Sequence, residues 1–264
     1  MLDLPNPALI GVVHLLPLPG SPRHIFTMDE IVDRAVTDAR TLVGAAFDAC
    51  IIENFGDAPF FGESLPTASV AAMAVVAARI RSETHLTLGV NALRNDACAA
   101  LGIAAAVGAS FVRVNVHTGV AATDQGFVEG RAAETLRMRK QLGAPIAILA
   151  DVHVKHATPI SETDIARAAK DTAYRGLADG LIVTGPATGE QVSTDDLRRV
   201  CEAVPDRRVF IGSGARADSV ASLLEHASGV IVGSGIKREN DPSRPIDETL
   251  ARAFAVAARG GSTA

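Results

Sequence analysis

The chain has 264 residues, 48% hydrophobic and 21% charged, enough for one large core; barrels of roughly 250 residues are common single domains. A net charge of −5, a pI near 5.8, no Trp and a single Tyr argue against nucleic acid, which needs clustered cations and stacking rings. Cys50, Cys98 and Cys201 are odd in number and lack CxxC spacing, so they read as core residues of a reducing cytosol.

The N-terminus carries no basic segment with a cleavage site, and no apolar stretch is long enough to span a bilayer. The expectation is a cytoplasmic protein that is not an integral membrane protein.

Residues 8–15 read as a first strand, closed by Pro17, Pro19, Gly20 and Pro22. Thr27 then caps a helix with Glu30 at capping-box spacing. Residues 48–53 are a second strand, followed by the loop 54–66 and an Ala-rich helix over 67–81. Residues 86–93 and 95–107 make the third strand and helix.

The alternating stretch 111–117 predicts a fourth strand, a long loop to Glu129 and a helix to Leu142. The fifth strand runs over 145–151 and on through Lys155, with a helix over 161–174. Residues 180–184 and 194–204 supply the sixth pair. Two repeated segments complete the series: 209–216 and 230–237 each run from an apolar stretch into Gly-Ser-Gly and then a cation, with helices over 217–225 and 246–259.

Eight strand–helix units at this spacing imply right-handed crossovers and a parallel sheet. An open doubly wound sheet could hold as many strands, but no GxGxxG follows the first one. The predicted fold is therefore α/β, a TIM (β/α)8 barrel forming a single domain over 1–264. In that fold phosphate is commonly held by the loops after strands seven and eight. Gly212, Ser213 and Gly214 with Gly233, Ser234 and Gly235 thus form a candidate phosphate cradle, with helix N-termini reinforcing it.

Polar groups at the carboxyl ends of barrel strands converge on one mouth. Candidate catalytic residues are His14, Glu53, Asp151, His153 and Lys155; candidate substrate-binding residues are Asn54, Asn91, Arg113, Asn115, Asp124 and Thr184. Strand alternation places Arg113, Asn115 and His117 in one row and Asp151, His153 and Lys155 in another, with His156 opposite as a packing residue. Three polar residues on one face of a buried strand need a wet or mutually paired setting. Acid/base chemistry is one reading, and an internal ion network is the other. No cofactor is predicted. A divalent metal is the minor alternative, since the donor atoms are present without HExxH spacing. A serine nucleophile is disfavoured because no GxSxG elbow occurs. The long segments 54–66 and 118–129 read as lids over the mouth or as contacts in a homo-oligomer.

Taken together, Val13-His-Leu-Leu-Pro-Leu-Pro-Gly-Ser-Pro22, Glu53-Asn-Phe-Gly-Asp-Ala-Pro-Phe60, Arg113-Val-Asn-Val, Thr123-Asp-Gln-Gly-Phe-Val-Glu-Gly130, Asp151-Val-His-Val-Lys-His156 and Val232-Gly-Ser-Gly-Ile-Lys237 resemble the BtpA/SgcQ family. One position departs from the pattern: His117 stands where a leucine is expected. The resemblance implies a ribulose-phosphate-binding barrel. It also implies either an enzyme acting on a phosphorylated sugar or nucleotide-like small molecule, by isomerisation, lyase action or glycosidic cleavage, or a non-catalytic assembly factor of the photosystem I biogenesis kind.

Overall fold

The computed structural model describes residues 2–185 and 190–260. Eight parallel strands close into a barrel: β1 (Ala8–His14), β2 (Ala49–Glu53), β3 (Thr87–Asn91), β4 (Phe111–Val114), β7 (Ala147–Val152), β9 (Gly180–Val183), β10 (Arg208–Ile211) and β11 (Gly229–Val232). Around it lie α1 (Met28–Gly44), α2 (Thr67–Glu83), α3 (Ala97–Val107), α4 (Ala132–Leu142), α5 (Ile165–Lys170), α6 (Thr194–Ala203), α7 (Val220–Leu224) and α8 (Glu248–Ala258). The predicted barrel is thus the observed one. No helix among the described residues is long and apolar enough to cross a membrane.

The barrel closes because its strands are apolar on both faces. Inward-facing Ile10, Ile51, Phe111, Leu149, Ile182, Phe210 and Ile231 fill the interior, while Leu9, Val13, Cys50, Ile52, Val90 and their neighbours pack outward against the helices. This arrangement gives the near-continuous hydrophobic runs of a parallel sheet covered on its outside. At the start of α1 the predicted capping box is present: Glu30 N donates to Thr27 Oγ1 at 3.2 Å, and Thr27 N donates to Glu30 Oε2 at 2.7 Å. The three cysteines are free; Cys50 is buried and the other two are half-buried.

Four expectations need correction. The segment after β4 is not an irregular loop: β5 (Val120–Thr123) and β6 (Gly126–Glu129) form an antiparallel hairpin, and β8 (Ala157–Pro159) adds a third strand to it. Asp124 and Gln125, expected in a lid or an oligomer contact, form the turn of this hairpin, with Gly126 at φ +95°. The fifth barrel strand stops at Val152, because His153 takes a left-handed backbone with φ +53°. The helix expected over 161–174 is split into the six-residue α5 and a π turn, Asp171–Arg175. Finally, α7 has five residues and starts at Val220, and Ser234–Ile236 is a 3-10 turn. No long helix therefore begins at either Gly-Ser-Gly turn, and the expected helix-terminus reinforcement of the cradle is missing.

Candidate active site

The paired turns after β10 and β11 lie side by side at the barrel mouth and line a cavity of about 270 Å³ together with His14, Glu53, Phe55, Arg113 and Lys155. A second cavity of about 390 Å³ continues from it, sharing Glu53, Phe55, Arg113 and Lys155 and adding Phe60, Leu93, Arg94, Asn115, Asp124 and His156. The candidate phosphate residues and half of the candidate chemistry thus face one cleft.

Backbone geometry shapes the first cavity. Gly214 adopts φ +71°, which a side chain would strain. At Gly233 a Cβ would lie 2.8 Å from His14 Cε1, and at Gly212 one would lie 3.3 Å from Arg113 Nη2. The turns therefore press directly on His14 and Arg113. Among the described residues, no backbone carbonyl accepts from the N–H groups of Gly214, Ala215, Ser234 or Gly235. The Ser213 hydroxyl, by contrast, is engaged: its Oγ accepts from Gly185 N at 2.9 Å and so ties the turn to the segment after β9.

On β1 and β2, His14 and Glu53 are register partners, which puts their side chains next to each other at the mouth. His14 Nε2 stands 3.7 Å from Glu53 Oε1. The other carboxylate oxygen, Oε2, accepts from Asn91 Nδ2 at 2.7 Å, so Asn91 orients Glu53. The His14 ring packs on Phe55, with centroids 4.8 Å apart. Burial, followed by the positive field of Lys237, holds the imidazole well below its ordinary pKa.

Lys155 lines both cavities. Burial is the main cause lowering the pKa of its amine, and Arg113 adds to the effect. Arg94 Nη2 donates to the Lys155 carbonyl at 2.7 Å, fixing the backbone from which the amine projects.

Asp151 is placed differently from the expectation. Arg113 grips it with Nε at 2.9 Å from Oδ2 and Nη2 at 2.8 Å from Oδ1, and Asn115 Nδ2 donates to Oδ2 at 2.9 Å. It does not line the main cleft but a smaller cavity of about 90 Å³ behind it, where His153 and Thr172 also lie. His153 Nε2 meets the Glu162 carbonyl at 2.8 Å. The row of Asp151, His153 and Lys155 is therefore broken, since alternation ends with the strand at Val152.

His117 leaves its row for the same reason: β4 stops at Val114, and the His117 ring is buried with Nε2 2.8 Å from the Gly176 carbonyl. His156, read as a packing residue, is exposed and lines the second cavity. Asn54 is occupied internally, accepting from Leu93 N at 2.7 Å and donating to Asp57 Oδ2 at 3.2 Å. Thr184 Oγ1 donates to the His153 carbonyl at 3.4 Å. Asn115 Oδ1 is buried and has no hydrogen-bond partner among the described residues, leaving an open acceptor. Among the described residues no group of three or more His, Cys, Asp or Glu is arranged to hold a metal ion.

Sequence reading passed over Lys237 except as the cation closing the second turn. It is 1% exposed, and its amine lies 3.0 Å from His14 Nδ1. The repeat alone does not separate the two cations: Arg216 of the first turn is exposed, whereas Lys237 of the second is buried.

Comparison with known proteins agrees with this architecture. Residues 6–260 match the BtpA family. An uncharacterised protein of Pyrococcus furiosus is 48% identical over 93% of this chain and 92% of its own length. The photosystem I biogenesis protein BtpA of Synechocystis is 47% identical over 94% of this chain and 86% of its own. Among solved structures, phosphoribosyl anthranilate isomerase from Thermus thermophilus superposes with a TM-score of 0.59 at 10% identity, covering 96% of this chain and 98% of that one; this likeness shows the fold alone.

Proposed function

The chain belongs to the BtpA family, and we propose that it is an enzyme that binds a phosphorylated sugar or nucleotide-like small molecule and transfers protons on it. One observation carries the reading: the paired turns, whose N–H groups meet no backbone carbonyl among the described residues, line one cleft with His14, Glu53 and Lys155. The N–H groups suit a phosphate, which is also what the corresponding loops of this fold commonly hold. Glu53 suits the role of proton acceptor, and Lys155 and Arg113 suit an oxyanion that develops opposite it.

The placement of Asp151 bears on the reaction class. Glycosidic cleavage ordinarily needs two carboxyl groups flanking the scissile bond. Asp151, the partner that sequence assigned to Glu53, is committed to Arg113 and Asn115 and lies behind the cleft. Isomerisation or carbon–carbon lyase action, each built on removing a proton beside a carbonyl, suits Glu53 facing Lys155 and Arg113; a second carboxylate for glycosidic cleavage would have to be Glu190 or Asp124, which also line the two cavities.

A panel of phosphorylated sugars and nucleotides, each paired with its dephosphorylated counterpart, tests this by thermal shift and turnover. Stabilisation confined to phosphorylated members, with turnover of at least one, is the expected result; equal response to both members of every pair would refute it. A second reading, a non-catalytic assembly factor, is favoured by the name of the Synechocystis relative. It requires no small-molecule turnover and predicts that cleft variants keep full assembly activity.

A further inference from the structure

Lys237 has no part in the chemistry assigned above, yet it is among the largest fully buried side chains. The backbone around it is fixed from several sides. Its own N–H donates to the Ser234 carbonyl at 3.0 Å, its carbonyl accepts from Asn240 N at 3.1 Å, and it pairs with Ile246 in an antiparallel bridge. The side chain then runs to the underside of His14.

Two acceptors meet the amine there: the Pro242 carbonyl at 2.9 Å and His14 Nδ1 at 3.0 Å. An ammonium has three N–H donors and no lone pair. For both contacts to be favourable, Nδ1 must present its lone pair. An imidazolium would set N–H against N–H at that distance, so the ring is neutral, and its one proton sits on Nε2. The competing arrangement would send an Nδ1 proton to the Pro242 carbonyl, which lies within reach of the ring; that proton would then face the ammonium 3.0 Å from Nδ1, donor against donor.

The other groups near this pair are consistent with the assignment. Asp38, on α1, is the carboxylate whose field acts most strongly on Lys237, but it accepts from Ile246 N at 2.9 Å and Arg34 Nε at 3.3 Å. Arg34, Glu53 and Asp241 act on Lys237 through the field only, as Lys155 and Arg113 act on His14. Glu53 Oε1, at 3.7 Å from Nε2, lies beyond hydrogen-bond distance. The Nε2 proton is therefore held beside a carboxylate but not used up by it, at the wall of the cavity that both residues line.

We propose that Lys237 is a positioning residue that locks His14 as a neutral imidazole protonated on Nε2, so that His14 meets a bound molecule as a hydrogen-bond donor and not as a base. The inference concerns the proton on His14 and stands whatever reaction the cleft performs. It also divides the labour at the mouth: Glu53 remains the group able to take a proton, and His14 becomes the group that polarises an oxygen.

The test is long-range proton–nitrogen NMR on protein labelled with ¹⁵N-histidine at pH 7, with His14 assigned by the signals lost in His14→Gln. The expected wild-type pattern is a protonated Nε2 and an unprotonated Nδ1. In Lys237→Met the lock is lost, and His14 gains a proton at Nδ1, either as the other tautomer or as the imidazolium. An imidazolium or an Nδ1–H ring in the wild type overturns the proposal without any Lys237 variant. An unchanged Nε2–H pattern in a folded Lys237→Met protein overturns it equally.

Discussion

Arg113 and Asp151 form a two-pronged pair across neighbouring strands β4 and β7, with Arg113 Nε 2.9 Å from Oδ2 and Nη2 2.8 Å from Oδ1, and each residue 4% exposed. Their role at the mouth is first of all mutual. The guanidinium that faces the cleft is aimed by a carboxylate that does not.

A buried pair is costly to break from one side, because the remaining charge is left uncompensated. Arg113→Met is accordingly expected to lower the free energy of unfolding by about 3–5 kcal/mol, read from urea denaturation. Combining it with Asp151→Leu should restore most of that loss. A single variant as stable as the wild type would show that the pair does not hold the mouth together.

Glu53→Gln keeps the shape of the side chain and its contact with Asn91 while removing its capacity to take a proton. On a substrate found by the panel, the rate constant for turnover should fall by roughly 10²–10⁴, the range for a lost general base, with thermal stabilisation by the same ligand retained. Unchanged turnover would remove Glu53 from the chemistry.

Gly233→Ala drives a methyl group into the His14 ring, 2.8 Å from Cε1 before any adjustment. A phosphorylated ligand at about a hundred times its dissociation constant stabilises a protein by roughly 2.7 kcal/mol. That gain should shrink in Gly233→Ala at the same ligand concentration, and calorimetry should report weaker binding. Equal affinity in the two proteins would place the ligand away from the second turn.

Lys237 gives stability a signature in pH. Burial is the main cause that lowers its pKa from 10.5 to about 8 in the folded chain. Between those values the unfolded chain binds the extra proton, so stability contributed by this group rises with pH through the window from about 8 to 10.5. Below pH 8 both states carry the charge, and the folded state is penalised by about 3 kcal/mol relative to an unshifted lysine, at 1.36 kcal/mol per pKa unit. The stability difference between wild type and Lys237→Met, measured by urea denaturation at pH 7.5 and 10, should therefore move in favour of the wild type as pH rises. A difference independent of pH would contradict the assigned environment.

Much of this was legible in the chain. Apolar runs at regular spacing dictated the eight barrel strands, and Thr27 with Glu30 dictated the start of α1. Gly-Ser-Gly in duplicate marked the turns that line the first cavity, and the register of β1 with β2 follows from two strands of one barrel, bringing His14 to Glu53. What sequence could not give was where alternation ends. Nothing in Asp151-Val-His-Val-Lys155 announces that His153 turns left-handed, and that one backbone choice separates Asp151 and His153 from Lys155. The hairpin β5–β6 was hidden because its strands have four residues each and are only partly buried, so no hydrophobic period accumulates. Lys237 was hidden because His14, which meets its amine, lies 223 positions away in the chain.

The central claim is that the two Gly-Ser-Gly turns hold a phosphate beside Glu53, and a crystal structure grown in phosphate or sulfate tests it most directly. The account predicts an anion within hydrogen-bond distance of N–H groups from both turns, among Gly214, Ala215, Ser234 and Gly235. Turns left empty while an ordered anion occupies another part of the mouth would contradict it.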